Sequence, residues 1–449
     1  MSASSVALSN ESVSTRATAE AAKAASRVLA PLAGAARNAA LEAMANGLEA
    51  ASAELLAANA EDCCGDSCAE GESISAAVLE RLKLDGAKLR EMVEQVRSVA
   101  ALPDPLGRTL DAIELDEGLN LQKVSVPLGV LAVIFEARPD AVTQIAALAI
   151  KSGNAVILKP GKEVERTAMV LVRVLREALV TRGLPAEAVS LVVGRERAQE
   201  LLGMQELVDL VIPRGSKALV EYVQANTRIP VLGHAEGVCH IYVDRSADEA
   251  LALRVIEDAK TDYPAACNAV ETVLVHREIA AEFLPKLAEH LRARGVALHG
   301  DATVSELLRG VEVQPVADWH TEYGELALSL GVVASLDAAI EHIHAHGSSH
   351  TESILTEDAE AAERFLREVD AAGVFHNAST RFADGFRYGL GAEVGISTSK
   401  LHARGPVGLE GLTTYKYVLR GQGQVAGDYR VSDKTGEPAR AFTHKREPR

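Results

Sequence analysis

No stretch of this chain approaches the roughly 20 consecutive apolar residues that a membrane-spanning helix needs; even LGVLAVIFEARPD meets Glu136 and Arg138 within a few positions. Membrane-spanning function classes are therefore set aside. Basic residues are in deficit, 46 Lys and Arg against 63 Asp and Glu, for a net charge of −17. That balance excludes a general nucleic-acid surface, which needs clustered cations to displace counterions. Any anionic ligand must be held locally. Cysteine is also scarce: five, unevenly spaced in 449 residues, do not make a disulfide framework and fit a reducing compartment, so a cytoplasmic protein is expected. The first 26 residues lack the basic start and apolar run of a signal peptide. A GxGxxG motif is missing as well, which excludes the ordinary Rossmann fingerprint. Cys63, Cys64 and Cys68 in EDCCGDSCAEG have no matching His or Cys pair downstream, so a polar surface loop is expected there and no metal.

A chain of this length exceeds one typical core, and two or three domains are expected. Residues 16–58 are Ala-rich, with apolar side chains spaced at three and four, and predict a long helix or a helical hairpin. A second helical pattern runs from Ser75 to Val99, and the prolines of ALPDPLGR end it. Alternating residues around a Glu-Gly turn predict a β-hairpin over 109–127. From Gly129 to Asp244, VLAVIF, AVILK, VSLVVG, VDLVIP and VCHIYV alternate with amphipathic helical patterns. Unbroken apolar strands between such helices indicate a parallel sheet covered on both faces. The final stretch from Asp428 reads as a loose charged tail.

Two strand ends in that region are suited to a phosphate-bearing ligand. AVILKPGKE leaves Lys159 and Lys162 at the carboxyl end of a strand, where ligands sit in open α/β sheets. In VDLVIPRGSKALV, Gly215 and Ser216 lie where a strand turns into a helix, with Ser216 as the N-cap and free N–H groups behind it. Further along, TDYPAACNAVETVLVH carries Cys267 between this region and a polar, Gly-rich one. Taken alone, a free cysteine is most often a small buried hydrophobe. Its position here suggests a nucleophile able to hold an acyl group as a thioester.

These blocks, in this order, resemble the aldehyde dehydrogenase superfamily. VIFEARPD, KSGNAVILKPGKE, YPAACNAVETVLVH and the run NASTRFADGFRYGLGAEVGISTSKLHARGPVGLEGLTTYKY resemble its gamma-glutamyl phosphate reductase family in particular, over about residues 16–425. The resemblance implies an aldehyde dehydrogenase-like α/β fold with two doubly wound domains, cofactor and catalytic, plus a small β arm used in oligomerisation. It implies the boundaries 1–108 for N-terminal helices, 109–127 for the arm hairpin, 128–244 for the NADP-binding domain, 245–399 for the catalytic domain, 400–427 for the return of the arm, and 428–449 for a flexible tail. The implied activity is NADPH-dependent reduction of L-glutamyl 5-phosphate to L-glutamate 5-semialdehyde with release of phosphate, a step of proline biosynthesis. A homo-oligomer is implied, with a separate glutamate 5-kinase as supplier of the unstable acyl phosphate.

The same resemblance implies roles residue by residue. Cys267 is the nucleophile. Lys159 holds the adenosine ribose, Lys162 favours the 2′-phosphate of NADP, and Glu322 holds the nicotinamide ribose. Arg138 stands where many superfamily members place an asparagine; its planar fork suits a phosphate or carboxylate, and a salt bridge to Glu136 is the alternative. Asn377, Ser379 and Arg381, beside many glycines, are expected at the glutamyl amino and carboxylate groups. The water-activating glutamate of hydrolytic relatives is replaced by Val231, although Glu236 is near in sequence. His234 and His240 are expected to be structural. A hydrolytic aldehyde dehydrogenase acting on a small semialdehyde is the runner-up, and a non-enzymatic binding protein on this fold is the third class.

Overall fold

The computed structural model describes residues 13–64, 76–234, 236–431 and 436–446, and divides into two compact units. The first comprises the chain to Gly215, Val223–Val231 and everything from Gly408 onward; the second comprises Ser216–Tyr222 and Leu232–Val407.

The first unit opens with helices α1 (Thr15–Leu29), α2 (Gly34–Ala50), α3 (Ser52–Cys63), α4 (Ala76–Leu82) and α5 (Gly86–Ala101). The expected one or two N-terminal helices are thus three, because Pro31 cannot continue α1 and Ala51 turns the chain between α2 and α3. The second helical stretch is split too: Asp85 caps α5 by accepting the Lys88 N–H at 2.8 Å. The expected Cys63 loop corrects in part, since Glu61, Asp62 and Cys63 are helical. Asp62 is fully buried, where its carboxylate takes the N–H and hydroxyl of Thr167 at 2.8 and 2.6 Å. Cys68 lies outside the described residues.

Strands β1 (Thr109–Asp116) and β2 (Leu119–Pro127) form the hairpin, turning at Gly118, whose φ of 71° suits glycine. Strand β3 (Val130–Phe135), helix α6 (Pro139–Lys151), β4 (Ala155–Pro160), α7 (Glu165–Thr181), β5 (Val189–Leu191), α8 (Arg195–Leu202) and β6 (Leu210–Arg214) follow, then α9 (Lys217–Asn226). Their strands make a parallel sheet in the order β5-β4-β3-β6, with Ile134 opposite Lys159.

The second unit is built on β7 (Cys239–Val243), α10 (Glu249–Thr261), β8 (Val270–His276), α11 (Arg277–Ala293), β9 (Ala297–Gly300), α12 (Ala302–Leu307), β10 (Gln314–Pro315), β11 (Ala327–Val333), α13 (Leu336–His346), β12 (Thr351–Leu355), α14 (Ala359–Glu368) and β13 (Gly373–His376). The strands form one parallel sheet in the order β10-β9-β11-β8-β7-β12-β13. The VCHIYV strand, expected in the cofactor domain, is therefore β7 of this second sheet, and the boundary expected at residue 244 lies earlier in the chain. Ile241 and Val243 pack with residues of α10 and α11, while Tyr242 packs with those of α13 and α14. Helices on both faces explain why the strand sequence is apolar without alternation.

A buried ion pair joins α10 to β8: Lys260 Nζ lies 2.7 Å from Glu271 Oε2, and both side chains are fully shielded. Burial pushes the Glu271 carboxyl up to about 7, against the pull of Lys260. Removing one partner leaves an uncompensated polar group in the core. Lys260→Ala is expected to destabilise the protein by about 3–5 kcal/mol, read by denaturant unfolding, with Lys260→Met/Glu271→Leu recovering most of the loss.

After the short β14 (Ile396–Ser397) and β15 (Gly405–Pro406), β16 (Thr413–Arg420) returns to the first unit and pairs with β2 along its length. Among the described residues after Asp428, part of the chain joins the arm. β17 (Lys445–Arg446) pairs with β1, and Arg440 and Tyr429 both reach Asp116, at 2.8 and 2.9 Å. The arm is thus a four-stranded sheet in the order β16-β2-β1-β17. No helix among the described residues is long and apolar enough to cross a membrane.

Candidate active site

Cys267 sits on the loop between α10 and β8. Pro264 lacks an N–H and cannot prolong the helix, and a turn closed by the Ala269 N–H to the Ala266 carbonyl at 2.9 Å displays Cys267 at its second position. The loop is tied down from behind. Asn268 donates to the Ala383 carbonyl at 2.9 Å and accepts from Arg381, whose Nε also donates to Asp262 at 3.1 Å. On the other side the Cys239 thiol donates to the Cys267 carbonyl at 3.3 Å. Gly237 packs so close that a Cβ there would fall 2.6 Å from the Cys267 carbonyl carbon and 2.7 Å from its Cα. Only glycine permits that approach.

The thiol itself is half-buried. Its sulfur and one ring nitrogen each of His234 and His350 lie within 4.8 Å of one another. His234 Nδ1 is held by the Ile396 carbonyl at 3.0 Å, and His350 Nδ1 by the Thr351 hydroxyl at 2.9 Å. Burial, reinforced by the nearby His234, pushes the His350 pKa down to about 3, so this imidazole is neutral. His240, by contrast, is fully buried against Glu352, whose Oε2 accepts the His240 backbone N–H at 2.7 Å and lies 3.1 Å from its imidazole Nδ1. Cys267 and His350 stand just before β8 and β12, and the loop carrying His234 and Gly237 leads into β7. Those three strands are neighbours in the order β8-β7-β12. Cys267 thus lies at the amino ends of a parallel sheet, opposite to the carboxyl-end rule that governs nucleotide sites.

Glu322 faces solvent, yet the protein crowded about it pushes its pKa up, opposed first by the Gly237 N–H, which donates to it. Gly237 therefore links the cysteine loop to the carboxylate expected at the nicotinamide ribose. Glu236 is ion-paired with Lys217. A carboxylate held by a lysine is a poor water-activating base, and position 231 is Val as read.

In the first unit, Lys159 is half-buried at the end of β4, and burial lowers its pKa against the raising effect of Glu163, Glu165 and Glu136. Lys162 is exposed two residues after the strand. Glu163 accepts the Ala137 N–H at 2.6 Å, and Gly161 donates to the Phe135 carbonyl at 2.7 Å, so the loops after β3 and β4 are stitched together. Arg138 is the N-cap residue of α6. Ser216 heads α9 as expected: its carbonyl accepts from Leu219 and Val220 at 3.0 and 3.1 Å, and Gly215 and Ser216 are exposed.

The expected glutamyl-binding trio occupies other partners. Asn377, at φ 53°, uses both ends of its amide on the Thr356 backbone, at 3.0 Å each. The Ser379 hydroxyl caps the short helix Thr380–Phe382. Arg381 is buried and engaged by Asn268 and Asp262. Of the three, Arg381 also braces the cysteine loop through Asn268. Sequence reasoning missed His350, Cys239 and Gly237. The one local signal was the polar Gly-Ser-Ser-His run entering an apolar strand.

The aldehyde dehydrogenase family model matches residues 3–308. A gamma-glutamyl phosphate reductase from Synechocystis is 55% identical over 408 residues, covering 91% of this chain and 92% of the relative. The chain belongs to the aldehyde dehydrogenase family, within its gamma-glutamyl phosphate reductase branch. A second relative of that name, from Cyanothece, is 56% identical over 423 residues, covering 94% of this chain and 95% of its own. The crystal structure of gamma-glutamyl phosphate reductase from Thermotoga maritima superposes with a TM-score of 0.89 at 39% identity, covering 92% of this chain and all of that one. Membership in this branch agrees with the arm, the two parallel sheets and a cysteine ahead of β8.

Proposed function

We propose that this chain reduces L-glutamyl 5-phosphate to L-glutamate 5-semialdehyde, releasing phosphate, as the proline-biosynthetic step its relatives are named for. The observation that carries the proposal is Cys267 itself: a half-buried thiol on a braced turn, with two imidazoles beside it, while Glu236 is engaged by Lys217. The Cys267 thiolate attacks the acyl carbonyl and expels phosphate, leaving a glutamyl thioester. His234, its Nδ1 fixed by a carbonyl, is suited to take the thiol proton at its other nitrogen. When bound, NADPH supplies the hydride. The thioester carbonyl accepts it, and the thiohemiacetal collapses to aldehyde and thiolate.

The residues of each unit fit such a cofactor. Lys159 stands at a strand carboxyl end, Lys162 is an exposed cation beside it, and Ser216 lies exposed at the start of α9, where a helix N-terminus favours an anion. Lys162→Glu is expected to shift the NADPH to NADH ratio of kcat/KM by roughly 10- to 100-fold toward NADH, the scale of one charge-assisted hydrogen bond, measured by steady-state kinetics with both cofactors. Arg138 is assigned to the phosphoryl group or the glutamyl carboxylate. Asn377, Ser379 and Arg381 are assigned to the glutamyl amino and carboxylate groups, with Arg381 also bracing Asn268. A homo-oligomer through the arm is supported by Tyr417 and Leu419, more than half exposed on β16, an outer strand of its sheet. A kinase that makes the acyl phosphate is the natural neighbour in a cytoplasmic sequence of reactions.

The runner-up differs in what resolves the thioester. With NADP and pyrroline-5-carboxylate, the cyclised semialdehyde, steady turnover is expected to require inorganic phosphate. Equal turnover without phosphate means that water resolves the intermediate, and the hydrolytic reading replaces this one.

A further inference from the structure

Three donor groups converge at the nucleophile: Cys267 Sγ and one ring nitrogen each of His234 and His350, all within 4.8 Å of one another. Ligand atoms around a tetrahedral zinc, with Zn–S about 2.3 Å and Zn–N about 2.0–2.1 Å, are about 3.3–3.8 Å apart, so closure by roughly 1 Å of side-chain movement completes a three-ligand set. Two further features point to a ligand. His350 is 1% exposed, and its Nε2 is buried with no hydrogen-bond partner among the described residues, an expense a neutral imidazole does not bear without cause. Each histidine also has its Nδ1 fixed by an oxygen, the Ile396 carbonyl for His234 and the Thr351 hydroxyl for His350. Outer partners of this kind orient metal-binding imidazoles.

We infer that Cys267, His234 and His350 form a reversible inhibitory site for a thiophilic divalent cation of the zinc class. The S₁N₂ donor set selects borderline-soft ions over Mg²⁺ and Ca²⁺, which take oxygen ligands. Binding replaces the thiol proton by the metal; one proton goes to solvent, no electron moves, and a chelator reverses the step. Since the metal occupies the sulfur lone pair that would attack an acyl carbonyl, catalysis stops while the fold is unchanged. The inference rests on Cys267 as the nucleophile only for its inhibitory consequence; the site itself rests on geometry.

The test uses the full chain, with Cys63, Cys64 and Cys68 replaced by serine so that their cluster cannot compete. Titration with Co²⁺ is expected to produce a thiolate-to-cobalt charge-transfer band at one equivalent. The band vanishes in the added Cys267→Ala variant, and His350→Gln weakens binding by at least the roughly 10- to 100-fold that loss of even an outer partner costs. In the same chain Zn²⁺ should slow iodoacetamide labelling of Cys267, and a chelator should restore it, which tests the site without any histidine variant. A cobalt band that persists without Cys267, or labelling of Cys267 unaffected by saturating Zn²⁺, overturns the site. Binding with these signatures in a chain that shows no reductase activity would keep the metal site and count against the proposed function alone.

Discussion

Cys267→Ser is expected to lower turnover by on the order of 10⁴-fold or more, the scale seen when a covalent nucleophile is removed, while leaving NADPH affinity within about twofold. The reason is chemical before it is geometric. A hydroxyl at this turn keeps the backbone bonds that hold position 267, since the Cys239 thiol and the Gly237 approach both meet main-chain atoms of the residue. What it loses is a sulfur nucleophile whose thioester is reactive enough to accept hydride. Cofactor affinity is measured by fluorescence titration and turnover by NADPH oxidation. A serine variant retaining more than a hundredth of the activity would mean that the acyl group never rests on residue 267.

Gly237→Ala should be nearly as damaging although it removes nothing. Its new methyl would fall 2.6 Å from the carbonyl carbon and 2.7 Å from the Cα of Cys267. These neighbours are main chain and cannot rotate away, so the cysteine turn or the loop before β7 must shift. Displacement of a reacting group by about 1 Å costs on the order of 100-fold in rate. The Gly237 N–H also donates to Glu322, so the same shift disturbs the carboxylate assigned to the cofactor. Expected are a fall of about 100-fold in kcat/KM and an unchanged far-UV circular dichroism spectrum. A loss below about threefold would show that the loop adapts freely.

Much of this site was legible in the sequence, for identifiable reasons. Strands buried on both faces carry unbroken apolar runs, and VLAVIF, AVILK and VDLVIP stood out accordingly. Residues at strand ends inherit their place from those runs, as Lys159 and Ser216 did. Other features depend on contacts distant in sequence. VCHIYV has the same pattern as the strands before it, and only its pairing with β8 and β12 assigns it to the second unit. The last residues look like a solvated tail until Arg440 and Tyr429 meet Asp116, more than 300 positions earlier. Asn377 and Arg381 have the composition of ligand contacts, yet the Thr356 backbone and Asn268 use their hydrogen-bonding groups first. His350 was hidden for the same reason: nothing near it in sequence shows that β12 lies beside β7 and brings it to Cys267.

The central claim is that Cys267 carries a glutamyl thioester that phosphate, not water, resolves. It is tested most directly by mixing the protein with NADP and pyrroline-5-carboxylate in the absence of phosphate, quenching in acid, and analysing the peptide bearing Cys267 by mass spectrometry. The account predicts one NADPH per active site, then a stall, with a glutamyl adduct on Cys267 that disappears when phosphate is added before the quench. Continuous NADPH formation with an unmodified Cys267 peptide would contradict it.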